Sequence, residues 1–595
     1  MKKNIGFIAI IIIFLFSSLI IISAQNKYYV DLNNRSDDLF KVTIVPEKLS
    51  AENNIFQFAS AAPGTYQIMD IGRYVRSFSA YDKDGDEVPV ENISLNQWKI
   101  SEPGKVSKIY YEIAETWDTE MEENPIYAMC GSSLEEDHAV INGHCVFGYF
   151  HEMQKYPIEI KLEYPQKWDV GTALVKNSNG YFEAPDYDYI VDSPIMLGNL
   201  SKVSAKVDET IVDVFTYSKT GLIESENIFS ILEDVLGAAA QFIGKLPVDR
   251  YVFLFHFEDF TFGAWEHSYS SFYVYKEEPL NEKLIQDIRS VAAHEFFHVV
   301  TPLNIHSELV ANFNYEKPVM SKHLWLYEGV TEWASDIMLM RDYIITLEDY
   351  LKETKQKLAV NDNYDQTLFL TDLSVKAIEL QDQYFNIYNK GAVVATLLDL
   401  ELLKLSNGKK GLRELIIELA NQYGPQKPFS EENFFDELVK ITYPEIRIFI
   451  NNYIDGNKKL PVAEYFYMIG INYAEDVGYD SSRVSLGFGL GIKNNKLIVT
   501  NVADRNTSIL NPGDYLYKVD DVEITLQNVQ QVLVKYSALK VGEEFEFIIQ
   551  RNTEEIPVKI VAGPRAIRHE FKVLQDITPA QLEMRNLWLQ NLSLN

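Results

Sequence analysis

Three changes of hydrophobic period divide the chain and predict a multidomain protein: a β-rich N-terminal part, a helix-rich α+β part, and a small C-terminal β module. From residue 27 to about 200, apolar and polar residues alternate as they do in strands half-buried in a sheet. From about 220, apolar residues recur at i, i+3, i+4 and i+7, the period of helices with one face in a core. After about 475, short alternating runs return around one helical stretch. At 595 residues the chain exceeds what one core supports, and about 100–200 residues per domain leaves room for three or more.

The elements follow in order. Lys2 and Lys3 precede an uncharged, largely apolar run from Ile5 to Ile22, and Ser23-Ala24-Gln25 places a small residue at a cleavage point. Residues 1–24 are predicted to be a signal peptide, which makes the mature protein secreted or periplasmic. The alternative is an uncleaved membrane anchor, since the run is long enough to span a bilayer. Residues 25–205 form the β-rich domain, with strands such as "LFKVTIV" and "SKIYYEI" broken by turn material such as "DKDGDE". Its Cys130 and Cys145, the only two cysteines, could close a small loop by a disulfide in an oxidising compartment; two free buried thiols are the other reading. Residues 206–470 form the α+β domain: "YVFLFHFEDF" and "SSFYVYK" read as strands, and "IFSILEDVLGAAAQFIGKL", "LIQDIRSVAAHEFFHVV", "HLWLYEGVTEWASDIMLM" and "GAVVATLLDLELLKL" as helices. Residues 476–565 form the small module and 566–595 a tail. With 54 basic against 86 acidic side chains, a net charge of −32 excludes a nucleic-acid partner over most of the surface.

The chemistry is concentrated in "VAAHEFFHVV", residues 291–300. Positions i and i+4 lie on one helix face, so His294 and His298 can offer imidazole nitrogens to one metal. Glu295 sits about 100° round the helix from His294, placed to meet a water on that metal without ligating it. From the composition, chance produces this pattern about 0.02 times in such a chain. Downstream, "LWLYEGVTEW" supplies Glu328 and, one turn later, Glu332. That spacing lets Glu328 act as third metal ligand while Glu332 accepts the free N–H of a ligand histidine and fixes its tautomer. Two solvated helix acids are the bland alternative.

"HEFFH" with "LWLYEGVTEW" resembles the metal signature of gluzincin metallopeptidases, and most closely the PDZ-carrying glycyl aminopeptidase family. "FGAWEHS", residues 262–268, is similar to that family's amine-recognition loop. The resemblance implies that Gly263, Ala264 and Glu266 bind substrate, with Glu266 on the free α-amine. "IYNKGAVVATLLDLE" resembles the segment whose tyrosine stabilises the transition state, here Tyr388, and "PGTY" at 63–66 resembles the family's β-rich domain. Trp265 departs from the smaller residue usual there, and "VVTPLNIHSEL" lacks the family's common Trp and Lys-Arg pattern. In the small module, "GLGI" and "LNPGDYLYKVDDVEI" resemble a PDZ domain, implying a carboxylate-binding loop at Gly489, Leu490, Gly491 and Ile492 and a C-terminal peptide as partner.

The implied whole is a zinc aminopeptidase with a thermolysin-like catalytic domain, one zinc ion held by His294, His298 and Glu328, Glu295 as base, and peptides with free N-termini, small residues first, as substrates. Two alternatives stay open: a zinc metalloendopeptidase, in which Glu266 holds no amine, and a catalytically silent peptide-binding protein acting through its PDZ domain. His144, His151, His256, His267 and His323 read as structural or surface residues.

Overall fold

The computed structural model describes residues 25–590 apart from 122–123, 260–261, 494–495, 504–505, 507, 527 and 535–537. The expected signal peptide lies outside the described residues, and among them no helix is long and apolar enough to cross a membrane.

The N-terminal part is three packed sheets. In the largest, of eight strands, Asn26–Asp31, Leu39–Val45, Val106–Ala114 and Val75–Asp82 are neighbours. The register Tyr28↔Ile44 and Val42↔Tyr111 aligns the inward side chains of successive strands, so the alternation in sequence becomes one buried face. Two four-stranded sheets complete this part, and all three enclose one apolar core. Cys130 and Cys145 do not form the expected bridge. Both are free and buried in that core, Cys145 Sγ donating to the Cys130 carbonyl at 3.2 Å. Burial pushes both thiols up in pKa, which keeps them protonated and unreactive.

The second part begins earlier than expected. Strands Ser201–Val207 and Thr210–Ser218 pair with each other, and the second runs parallel to Arg250–Glu258 in a five-stranded sheet edged by Gly263–Glu266. The expected boundary at 205 therefore falls inside a strand, because alternation marks a strand but not the sheet it joins. Helices Ser225–Ile243, Glu282–Phe297, Val330–Arg341, Leu347–Asn361 and Asn386–Leu405 share one core with this sheet. Gly244, at φ 91°, ends the first of them in the left-handed region that favours glycine. Asn386–Leu405 is buried on nearly all sides and forms the central helix.

Residues 566–590, expected as part of a tail over 566–595, are ordered elements. Strand Gly563–Val573 returns antiparallel along Ile471–Ser485, from Ile471↔Val573 out to Ser485↔Gly563. Helix Pro579–Gln590 then docks on the helical core, burying Trp588 completely; its carbonyl accepts from Arg341 Nε at 2.9 Å. Between the arms of this ribbon sits the small module, a six-stranded sheet with its own apolar cluster around Leu516, Val519, Phe545 and Ile549. Gly489, Leu490, Gly491 and Ile492, expected as a loop, lie in the edge strand Phe488–Lys493, with a bulge between Phe488 and Leu490. Glycines served as the signal for a loop, but here Gly491 passes so close to the next strand that an added Cβ would come 2.6 Å from Thr500 Cγ2.

Candidate active site and metal centre

The helix Glu282–Phe297 starts at Asn281, whose side chain accepts from Leu284 N at 2.9 Å, and buries Leu284, Ile288, Ala292 and Phe296 against the core. That docking fixes its last turn, so His294 and His298 project together, their ring centroids 4.7 Å apart. Each ring is oriented from behind. His294 Nδ1 donates to Glu332 Oε2 at 2.8 Å, and His298 Nδ1 to the Thr301 carbonyl at 2.9 Å. Lys357 holds Glu332 in turn, its Nζ 2.9 Å from Oε1, and reaches Asp336 at 2.8 Å. With both Nδ1 atoms donating, both Nε2 lone pairs face inward.

Glu328 meets them from a π-helical turn, Trp325–Gly329, that opens the helix Val330–Arg341. Such turns are rare and cluster at functional sites. Glu328 Oε2 lies 3.4 Å from His294 Nε2 and 3.5 Å from His298 Nε2. Ligands at 2.0–2.1 Å in a tetrahedron stand about 3.3 Å apart, so the three atoms fit one metal ion. Oε2 is buried without a hydrogen-bond partner among the described residues, while Oε1 accepts from the Tyr66 hydroxyl at 2.5 Å. A bare carboxylate oxygen between two ring nitrogens is the donor set that a cation such as zinc takes.

Two more carboxylates converge. One oxygen each of Glu266 and Glu295 and a His298 ring nitrogen lie within 4.8 Å of one another. Burial first, then the neighbouring Glu328 and Glu295 carboxylates, hold Glu266 well above the usual carboxylate range. Burial also pushes Glu295 up to about 7, against the opposing effect of His294. Glu266 stands on the edge strand Gly263–Glu266, paired through Glu266↔Ser271, so the residues expected as a recognition loop form a strand of which Glu266 reaches the site. Gly263 packs on Met129, where an added Cβ would come 2.6 Å from Sδ, and Trp265 is buried against His144 and His267, ring centroids 5.3 and 4.4 Å away. The Tyr388 ring lies 5.6 Å from that of His294, and its hydroxyl is 2.5 Å from that of Tyr384.

Several residues here escape the sequence reading. Tyr66 and Gly64 come from the N-terminal part: a Cβ on Gly64 would stand 2.5 Å from Glu266 Oε1, and Tyr66 also accepts from Gln381 Nε2 through its carbonyl at 2.9 Å. Pro63-Gly64-Thr65 marks a turn in any sequence, but nothing local says that it reaches across to a second domain. Tyr384 and Lys357 left no signal beyond helical spacing. Of the other histidines, His323 Nε2 donates to the Glu431 carbonyl at 2.8 Å and His151 Nε2 lies 3.2 Å from Gln57 Oε1. His256 is completely buried, and neither of its ring nitrogens has a hydrogen-bond partner among the described residues.

A buried His-His-Glu set with two further carboxylates beside it, Glu266 and Glu295, carried on an α+β helical domain, fits a metallopeptidase. Residues 27–199 match the Peptidase M61 N-terminal domain and residues 287–394 match M61 glycyl aminopeptidase. Among solved structures it is similar to an aminopeptidase N family protein from Idiomarina loihiensis, with 22% identity, 95% of this chain and 100% of that one covered, and a TM-score of 0.77. A variant of an M1 zinc metallopeptidase from Deinococcus radiodurans gives 12% identity, coverage of 74% and 95%, and a TM-score of 0.47. No curated protein matches the chain.

Proposed function

We propose that the protein is a zinc-dependent aminopeptidase that removes N-terminal residues, small ones such as glycine or alanine, from peptides. The observation that carries this reading is the bare Glu328 Oε2 between two oriented imidazoles, with Glu295 and Glu266 turned toward the same space. Zinc held by His294, His298 and Glu328 supplies, when bound, a Lewis acid for the peptide carbonyl and acidifies a water. Glu295 takes the proton of the attacking water and passes it to the departing amine. Tyr388 donates a hydrogen bond to the carbonyl oxygen as negative charge gathers there, Tyr384 holding its hydroxyl in place. Glu266 pairs with the substrate ammonium, which brings the countercharge that this crowd of buried carboxylates lacks.

The small module supports a PDZ reading: a peptide C-terminus would add to the edge strand Phe488–Lys493 and take its carboxylate to the bulged glycines. Secretion through cleavage after Ala24, with residues 1–24 removed, completes the proposal.

Hydrolysis of free and amino-acylated glycyl and alanyl amides, with and without chelator, tests it. A high ratio of kcat/KM for free over blocked substrates, abolished by chelation and collapsing in Glu266→Ala, is the expected result. A ratio near one in the parent would move the protein to the endopeptidases. A metal-loaded protein that cleaves neither would leave peptide binding as its role.

A further inference from the structure

A second group of ligand-type side chains lies away from this centre, where the N-terminal part meets the catalytic sheet. His138 stands on the strand His138–Ile141; His256 and Glu258 stand on Arg250–Glu258. All three are buried, with exposures of 2%, 0% and 6%, and one ligand atom from each lies within 4.8 Å of the others. We propose that His138, His256 and Glu258 form a second metal site, for a zinc-type divalent cation, that clips the two domains together.

The argument rests on lone pairs. Asp137 Oδ1 accepts from His138 Nδ1 at 3.0 Å, and Asp137 Oδ2 accepts in turn from the Tyr217 hydroxyl at 3.1 Å. With its proton on Nδ1, His138 turns the Nε2 lone pair toward Glu258 Oε2, 3.8 Å away. His256 Nε2 lies 3.9 Å from the same oxygen, and neither ring nitrogen of His256 has a hydrogen-bond partner among the described residues. Ser133 Oγ stands 3.5 Å from His138 Nε2, while His256 Nε2 faces the same carboxylate oxygen with no donor of its own among the described residues. An orphaned imidazole buried completely is costly unless something occupies that space.

The surroundings suit an ion. Lys219 pairs with the other oxygen of Glu258, Oε1, which leaves Oε2 to face the histidines; the lysine is half-exposed and also reaches Asp259 at 3.4 Å. Rings of Trp117 and Tyr217 pack on His256, centroids 4.9 and 4.6 Å away, and shield it from water. The 3.8 and 3.9 Å separations exceed the roughly 3.3 Å of a tetrahedral ligand set, so binding draws the side chains together by about half an ångström. Because His138 belongs to the sheet of one domain and His256 and Glu258 to that of the other, this contraction tightens the interface around Val140, Met196, Val252 and Leu254.

The test uses the full-length His294→Ala/His298→Ala protein, whose catalytic set is destroyed, loaded with Zn2+ or Co2+ and freed of excess metal. About one ion per chain should remain, with the visible bands of nitrogen- and oxygen-ligated Co2+, and Zn2+ should raise its Tm by several degrees. Adding His256→Gln should abolish binding, the bands and the Tm shift. If that replacement unfolds the protein, Glu258→Gln, which keeps an oxygen for Lys219, gives the same reading. A folded double-alanine variant that binds neither ion overturns the proposal, as does retention of the ion by a folded Glu258→Gln derivative. Because the readouts are bound metal and Tm, they stand apart from any result on peptide hydrolysis.

Discussion

Tyr66 and Tyr388 border the same centre from different domains and should fail differently when their hydroxyls are removed. Tyr66 donates to Glu328 Oε1, so Tyr66→Phe leaves a buried carboxylate oxygen unpartnered and frees the ligand to rotate. Zinc affinity, read by competition with a chelator, should fall about 10–100-fold, as for other groups behind a ligand, while kcat at full loading holds. Tyr388→Phe should do the reverse, keeping zinc and lowering kcat about 10²–10³-fold, the cost of one oxyanion donor. An exchanged pattern would exchange the two roles. Glu295→Gln should retain metal and lose about 10²–10⁴ in kcat, since it removes a proton acceptor and no ligand; parent-like turnover would remove Glu295 from the mechanism. The legibility of these residues follows from distance along the chain. His294, Glu295 and His298 share one helix turn, so spacing alone predicts their convergence. Tyr66 acts on a residue 262 positions away, and His138 and His256 meet only because two sheets pack, which no local pattern encodes.

At the scale of elements, the site depends on how closely two helices approach. A Cβ built on Gly329 would stand 2.6 Å from Gly391 Cα, and one built on Gly391 would stand 2.7 Å from Gly329 Cα. Gly329 follows Glu328 at the end of the π-helical turn, and Gly391 lies within one turn of Tyr388, so this backbone contact sets the spacing of Glu328 and Tyr388. Gly329→Ala must push the helices apart, at about 1–3 kcal/mol for overpacking. Zinc occupancy and kcat should drop while the far-UV circular dichroism stays native. Gly237→Ala is the control: it is also inside a helix, but its Cβ meets nothing within 4 Å, so it should be neutral or stabilise by up to about 1 kcal/mol. Equal effects of the two substitutions on zinc content would show that the close approach is not what matters. Helix existence was legible from the apolar period. The π-helical turn was not, because Trp325 to Gly329 carry the same pattern as an ordinary turn; only the opposing glycine, 62 residues on, demands the contact.

For the whole molecule, the chain order misleads about what belongs together. The six-stranded module interrupts a ribbon whose arms, Ile471–Ser485 and Gly563–Val573, are paired along their length, while the last helix returns to the catalytic core. Return contacts are dense: Arg568 and His569 both engage Asp362, the latter at 2.7 Å, and Arg585 Nε donates to the Ile469 carbonyl at 2.7 Å. Alternating strands look alike in any sheet, so the period after 475 could not reveal that one pair belongs to a different body from the rest. Ser485 and Gly563 stand directly opposite each other, the geometry a two-residue turn closes. Replacing residues 486–562 with Asn-Gly should therefore leave a folded catalytic unit with its zinc and its activity on glycyl amides. Trp588→Ala should instead cost about 3–5 kcal/mol, the range for emptying a buried tryptophan site, and removing residues 574–595 should cost more, because Arg341 and Asp399 lose the cover over their buried ion pair. Thermal unfolding and bound zinc measure all three variants. Unfolding of the excised protein, with tolerance of the Trp588 change, would mean that the module and not the returning helix completes the core.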